Sequence, residues 1–190
     1  MTENPKSKSQ KPKSKAVFID RDGTLIEEVN FLHRVEELQF FPFTDEAVRL
    51  LKENGFLVVL VTNQSGIGRG IYTEADMHAI HAAIQADLTE KLDAIYFCPH
   101  LPNDGCDCRK PNLKMIEWAR ADLPIDLENS WMIGDKNLDV ELGLNAGIKP
   151  IMVMTGYGPK HFPKLKRQPY AVAENLLEAV KIIVELRNEN

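Results

Sequence analysis

From residue 16 onward, short apolar runs rich in β-branched residues alternate with longer amphipathic stretches, the order expected of a parallel sheet joined by crossover helices. Residues 16–20 read as a first strand, 45–54 as a helix stopped by Gly55, and 56–62 as a second strand. Thr73 caps a helix running to about residue 91, with Asp76 where a capping-box acid stands, and 94–97 follows as a third strand. A helix over 111–122, a strand over 131–134, a helix over 137–146 ended by Gly147, a strand over 151–154 and a last helix over 172–187 complete the series. The expected fold class is therefore α/β, a doubly wound and mostly parallel sheet. In such sheets ligands bind beyond the carboxyl ends of the strands.

One domain is expected, because 190 residues that are 44% hydrophobic and 27% charged bury one ordinary core and little more. Residues 1–15 stand apart, with five lysines among Ser, Pro and Gln and no apolar residue after Met1. They are expected to form a disordered basic tail ahead of a folded domain over 16–190. The net charge of -5 argues for a small substrate and against a nucleic-acid face across the whole domain. No apolar stretch approaches the roughly 20 residues that span a bilayer, and the N-terminus has no apolar signal-peptide region. A cytoplasmic protein with no membrane partner is expected. No heptad pattern or other assembly motif is present, so a monomer is the default.

The positions just after the strands carry the chemistry. Asp20 and Asp22 stand two residues apart at the tip of the first strand, where their charges repel unless a cation lies between them. That reads as a hard-metal site for Mg2+, with one carboxylate as nucleophile and the other as acid or base. After the second strand comes Thr62-Asn63-Gln64-Ser65-Gly66, and after the fourth Gly134-Asp135-Lys136, with Asp139 one turn on. A threonine hydroxyl and free N–H groups beside Gly66 suit phosphate oxygens, and Lys110 supplies a point charge for the same group. Asp135 would join Asp20 on the metal.

In this order, Asp20-x-Asp22-Gly23-Thr24, Thr62-Asn63, Lys110 and Gly134-Asp135-x-x-x-Asp139 resemble the four motifs of the haloacid dehalogenase (HAD) superfamily, over residues 16–139. The resemblance implies a Rossmann-like fold in which Asp20 attacks phosphorus to form an aspartyl-phosphate. Asp22 would protonate the leaving oxygen and then activate water, its backbone carbonyl reaching Mg2+. Thr62 and Lys110 would hold phosphoryl oxygens, and Asp135 the metal. A carboxyl group two residues after the nucleophile can protonate a poor leaving group, which favours ester hydrolysis over haloalkane chemistry. Asp139 either orients Lys110 or serves its helix. No large cap domain fits, because residues 25–62 are already used by a loop, a helix and a strand.

All three cysteines, Cys98, Cys106 and Cys108, fall with His100 inside residues 98–108. Three thiolates and an imidazole suit a closed, structural Zn2+ site, whereas a disulfide would leave one cysteine over. Such an inserted zinc loop would fix Arg109 and Lys110 at the rim of the site. With Cys-x-His and Cys-x-Cys-Arg-Lys-Pro included, the chain is similar to the superfamily branch that holds heptose-bisphosphate and histidinol phosphatases. That similarity implies a phosphorylated sugar substrate contacted by Arg109 and Lys136. Glu28, Val29, Asn30, Phe31, Asn63, Gln64 and Ser65 would line its approach. The guanidinium of Arg109 suits the phosphate that is not cleaved, unless it merely neutralises Asp107. Histidinol phosphate stays open as the substrate, as do a DNA 3'-phosphatase and a zinc-stabilised binding protein without turnover. The acidic, 7% aromatic composition weighs against the nucleic-acid reading. Trp118, Trp131 and Met132 read as packing residues and His78 with His81 as a solvated or partly packed helix face, while His33 falls on a surface loop.

Overall fold

The computed structural model describes residues 13–188. Six strands, β1 (Ser14–Ile19), β2 (Leu57–Asn63), β3 (Ala94–Cys98), β4 (Ile125–Gly134), β5 (Lys149–Val153) and β6 (Ala171–Ala173), form one sheet in the order β3-β2-β1-β4-β5-β6. Every pairing is parallel, with Ile19 opposite Leu60 on one side and Ile133 on the other. The helices are α1 (Thr44–Glu53), α2 (Ser65–Gly68), α3 (Glu74–Asp87), α4 (Lys114–Asp122), α5 (Asn137–Ala146), α6 (Gly158–His161) and α7 (Leu176–Asn188).

Side chains alternate across a strand, and β1 is buried on both sides. Val17 and Ile19 join a core with Ala47 and Leu51 of α1, Ile80 and Ile84 of α3 and Val180 of α7. Ala16 and Phe18 face the opposite core, with Met115 and Ala119 of α4 and Leu142 of α5. Truncating fully buried Phe18 to alanine is expected to cost about 3–5 kcal/mol. The doubly wound sheet is thus present, and the described residues hold no large cap domain. No helix among the described residues is long and apolar enough to cross a membrane.

Several boundaries differ from the sequence expectation for tertiary reasons. Residues 1–12 of the expected tail lie outside the described residues, but Ser14 and Lys15 already pair with Ile125 and Asp126. The same pairing lengthens β4 through the mostly polar residues 126–130. The capping box at Thr73 and Asp76 forms as expected, but α3 stops at Asp87, because Asp45 accepts from the N–H and hydroxyl of Thr89 (2.7 and 3.0 Å). Helix α4 starts at Lys114 rather than 111, since Asn63 holds the Lys110 N–H at 3.0 Å and Asn112 N–H bonds the Arg109 carbonyl. β6, residues 171–173, is too short to show periodicity and takes residues 172 and 173 from the expected last helix. Trp118, read as a packing residue, is 38% exposed, and His81, read as solvated or partly packed, is buried.

Candidate active site

The carboxyl ends of β1, β2 and β4 bring Asp20, Thr62 and Asp135 together, all buried. Asp20 Oδ1 accepts from the Arg21 N–H at 2.8 Å and lies 2.8 Å from Lys110 Nζ. That ammonium, only 3% exposed, also lies 2.6 Å from Asp139 Oδ1 and donates to the Val61 carbonyl at 3.0 Å. The other Asp139 oxygen accepts from the Lys136 N–H at 3.0 Å, so the two roles open in the sequence are carried by one carboxylate. Burial favours the neutral Asp20 carboxyl, but Lys110 and Lys136 outweigh it and hold its pKa below the ordinary value. Asp135 goes the other way. Burial, with Asp20 and Asp139 adding, pushes it up to about 7 against the pull of Lys136. Burial likewise opposes the charge on Lys110, yet Asp139 and Asp20 raise its pKa.

The oxygens expected on a metal converge on one point. Lys136 Nζ lies 3.4 Å from Asp135 Oδ1 and 3.7 Å from Asp20 Oδ2, and donates to the Asp22 carbonyl at 3.2 Å. Among the described residues Asp135 Oδ1 accepts no hydrogen bond. A buried carboxylate oxygen without a donor, facing a second carboxylate and a backbone carbonyl, is a hard-oxygen set that fits Mg2+. Gly23, with φ of 83°, permits this closeness, because a Cβ there would sit 2.4 Å from Asp135 Oδ2. The Tyr157 N–H holds the same oxygen at 2.7 Å.

Two adjoining clefts open above this centre and share Asp22, Asn63 and Lys136. The smaller, about 110 Å³, is lined by Asp20, Thr62, Arg109, Lys110 and Asp139. The larger, about 160 Å³, is lined by Glu28, Val29, Asn30, Phe31, Gln64 and Ser65. Every residue named for catalysis, Mg2+ or substrate therefore borders these clefts, except Asp135, which lies beneath them. Lys136 crosses between the two, 3.1 Å from Glu28 Oε2. Phe31 takes a left-handed backbone, φ of 54°, and its carbonyl lies 2.8 Å from His33 Nδ1. His33 stacks on Tyr72 at the rim, ring centres 5.9 Å apart. Arg109 donates to the His100 carbonyl at 3.1 Å, and among the described residues Asp107 pairs with Lys114, at 3.9 Å, not with Arg109.

Three neighbours carry no site role in the sequence reading. Arg21, between the two aspartates, is 1% exposed, and its Nε donates to both Asp22 carboxylate oxygens at 3.1 Å. His81 Nε2 lies 3.4 Å from Arg21 Nη1, and Tyr72 donates to Gln64. An arginine flanked by acids at a strand tip was the one available signal for Arg21. His81 and Tyr72 had none.

Beside the clefts, the ligand atoms of Cys98, His100, Cys106 and Cys108 all lie within 4.8 Å of one another. Cys98 Sγ is 3.6 Å from Cys106 Sγ and 3.0 Å from Cys108 Sγ, and His100 Nδ1 is 3.2 Å from Cys108 Sγ. Bonds of about 2.3 Å to a tetrahedral Zn2+ place sulfurs about 3.7 Å apart, so the four groups need only a small outward adjustment to hold one. Burial and the Cys108 contact push the Cys98 thiol pKa upward.

Comparison with known proteins agrees with this arrangement. The HAD-hydrolase-like family matches residues 107–179. A D-glycero-D-manno-heptose-1,7-bisphosphate 7-phosphatase of Thermosynechococcus vestitus is 40% identical over 185 residues, covering 88% of this chain and 94% of that one. A D-glycero-beta-D-manno-heptose-1,7-bisphosphate 7-phosphatase of Haemophilus ducreyi is 41% identical over 153 residues, 75% of this chain and 84% of that one. Among solved structures, the D,D-heptose 1,7-bisphosphate phosphatase from B. bronchiseptica complexed with magnesium and phosphate has a TM-score of 0.83 at 32% identity, covering 90% of this chain and 99% of that one.

Proposed function

This chain belongs to the heptose-bisphosphate phosphatases of the HAD-like hydrolases, and from that membership we propose that it removes the 7-phosphate of D-glycero-D-manno-heptose 1,7-bisphosphate through an aspartyl-phosphate. The observation that carries the reading is the buried Asp20 between Lys110 and Lys136, two residues from Asp22, at the floor of an uncapped double cleft.

Asp20 attacks phosphorus as the bond to the sugar oxygen breaks, and Asp22 gives that oxygen its proton. Water then attacks the aspartyl-phosphate, Asp22 takes the water's proton, and inorganic phosphate leaves with Asp20 restored. Lys110 and the Thr62 hydroxyl neutralise and orient phosphoryl oxygens, which is most of what phosphoryl transfer asks of a protein. Asp20, the Asp22 carbonyl and Asp135 would hold Mg2+, which when bound supplies further positive charge to the phosphoryl group. Arg109 takes the phosphate that is kept, Lys136 and Glu28 meet the sugar, and Cys98, His100, Cys106 and Cys108 hold a structural Zn2+. All the residues given these roles lie in one chain, which supports a monomer.

The test is Mg2+-dependent phosphate release from both anomers of the bisphosphate, from histidinol phosphate and from a 3'-phosphorylated oligonucleotide, with Asp20→Asn as control. Preferential 7-phosphate release, lost in Asp20→Asn, is expected. Preference for either of the other compounds would overturn the substrate assignment, and turnover that survives Asp20→Asn would overturn the mechanism.

A further inference from the structure

Gln64 borders the larger cleft, yet its side chain is 3% exposed and all four hydrogen-bonding positions of its amide are committed inside the protein. Oε1 accepts from Arg21 Nη2 at 2.9 Å and from the Tyr72 hydroxyl at 2.5 Å. Nε2 donates to Asp22 Oδ2 and to Thr62 Oγ1, each at 2.8 Å. The orientation has no alternative, because a guanidinium only donates: the amide oxygen must face Arg21, which turns the NH2 group toward Asp22 and Thr62.

The donors are themselves fixed. Tyr72 packs so closely on α2 that a Cβ at Gly66 would meet its ring at 2.0 Å. Arg21 is braced by Asp22 on one side and by His81 on the other. Burial, then Arg21, pushes the His81 pKa down to about 3, which keeps the ring neutral and its Nε2 able to accept. Because Thr62 Oγ1 accepts the amide hydrogen, its own proton is available to the phosphoryl oxygen in the smaller cleft.

We propose that Gln64 is a positioning residue and not a substrate contact: it ties the Asp22 carboxyl to the Thr62 hydroxyl, so that the group protonating the leaving oxygen and the group holding the phosphoryl oxygen keep one fixed separation. This rests on the roles of Asp22 and Thr62 proposed above. Its consequence is specific to the leaving group. Protonation matters greatly when an alkoxide departs and little when a stabilised phenolate does, whereas a general loss of structure lowers both reactions alike.

The experiment is kcat/KM, which reports steps through aspartyl-phosphate formation, across simple alkyl and aryl phosphates of graded leaving-group pKa. Gln64→Met, Tyr72→Phe, Asp22→Asn and Asp20→Asn are compared with the unmodified chain. In Gln64→Met the alkyl phosphates should lose about 10–100-fold more than p-nitrophenyl phosphate, approaching the pattern of Asp22→Asn. Tyr72→Phe, which keeps the ring but removes one donor to Oε1, should change in the same direction by a smaller factor. Thermal melts establish that each variant is folded, and should Gln64→Met not fold, Tyr72→Phe alone decides. Equal loss on all leaving groups, a rise in KM alone, or no change would overturn the proposal. Activity that survives in Asp20→Asn would instead overturn the phosphatase mechanism, so the two failures are distinct.

Discussion

Lys110 Nζ lies 2.6 Å from Asp139 Oδ1, and the two are buried to 3% and 1% exposure. Since the same ammonium lies 2.8 Å from Asp20, Asp139 decides where the charge beside Asp20, the proposed nucleophile, stands. Removing one partner of a buried pair leaves an uncompensated charge. Lys110→Met is therefore expected to cost about 3–5 kcal/mol in denaturant unfolding and at least about 100-fold in kcat. Asp139→Asn keeps an acceptor for the Lys136 N–H and should lose about 10–100-fold in kcat with a smaller loss of stability. Unchanged kcat in Asp139→Asn would refute the positioning role.

Binding of the retained phosphate, the role proposed for Arg109, can be tested apart from the chemistry. Arg109→Ala is expected to lower kcat/KM about 10-fold or more for the bisphosphate relative to heptose 7-phosphate, the worth of a charge-assisted hydrogen bond. A ratio equal to that of the unmodified chain would remove Arg109 from that role.

Elemental analysis should find one Zn2+ per chain. Verified removal with a chelator should speed hydrogen exchange across residues 98–108 and lower activity, because Arg109 hangs from the His100 carbonyl and Lys110 follows it. A loop that exchanges no faster after zinc loss would sink this account.

His81 makes stability depend on acid. Its folded pKa of about 3 lies below the ordinary 6.5, so between these values the unfolded chain binds more protons and stability falls as pH falls. The contribution is whole above about pH 6.5 and declines toward pH 3. Denaturant unfolding at pH 7, 5 and 4 should show a shallower decline in His81→Gln than in the unmodified chain. Parallel declines would mean that His81 titrates as an ordinary histidine.

Much of this molecule is legible along the chain because parallel strands put function at predictable places. The alternation of runs places the tips of β1, β2 and β4 side by side, so Asp20, Thr62 and Asp135 meet by topology alone. The four zinc-ligand candidates are legible for a simpler reason, since eleven residues of one loop cannot stray far from one another. Helix ends at Thr73, Gly55 and Gly147 are local chemistry and were read correctly. By contrast, the start of α4, the early stop of α3 and the short β6 are set by contacts with distant residues such as Asn63, Asp45 and Ile151.

What the sequence determined by itself is the set of candidate reacting groups and the strand ends that carry them, because periodicity and turn chemistry act over a few residues. What only the tertiary structure decided is how those groups are held. Arg21 sits next to Asp22 in the chain, but Gln64 is 42 residues from Asp22 and His81 is 60 residues from Arg21. No local pattern records such pairings. Burial then makes them directional: a buried donor or acceptor must find its partner in the protein, and Gln64 turns its amide inward to Asp22 and Thr62 instead of outward to the cleft.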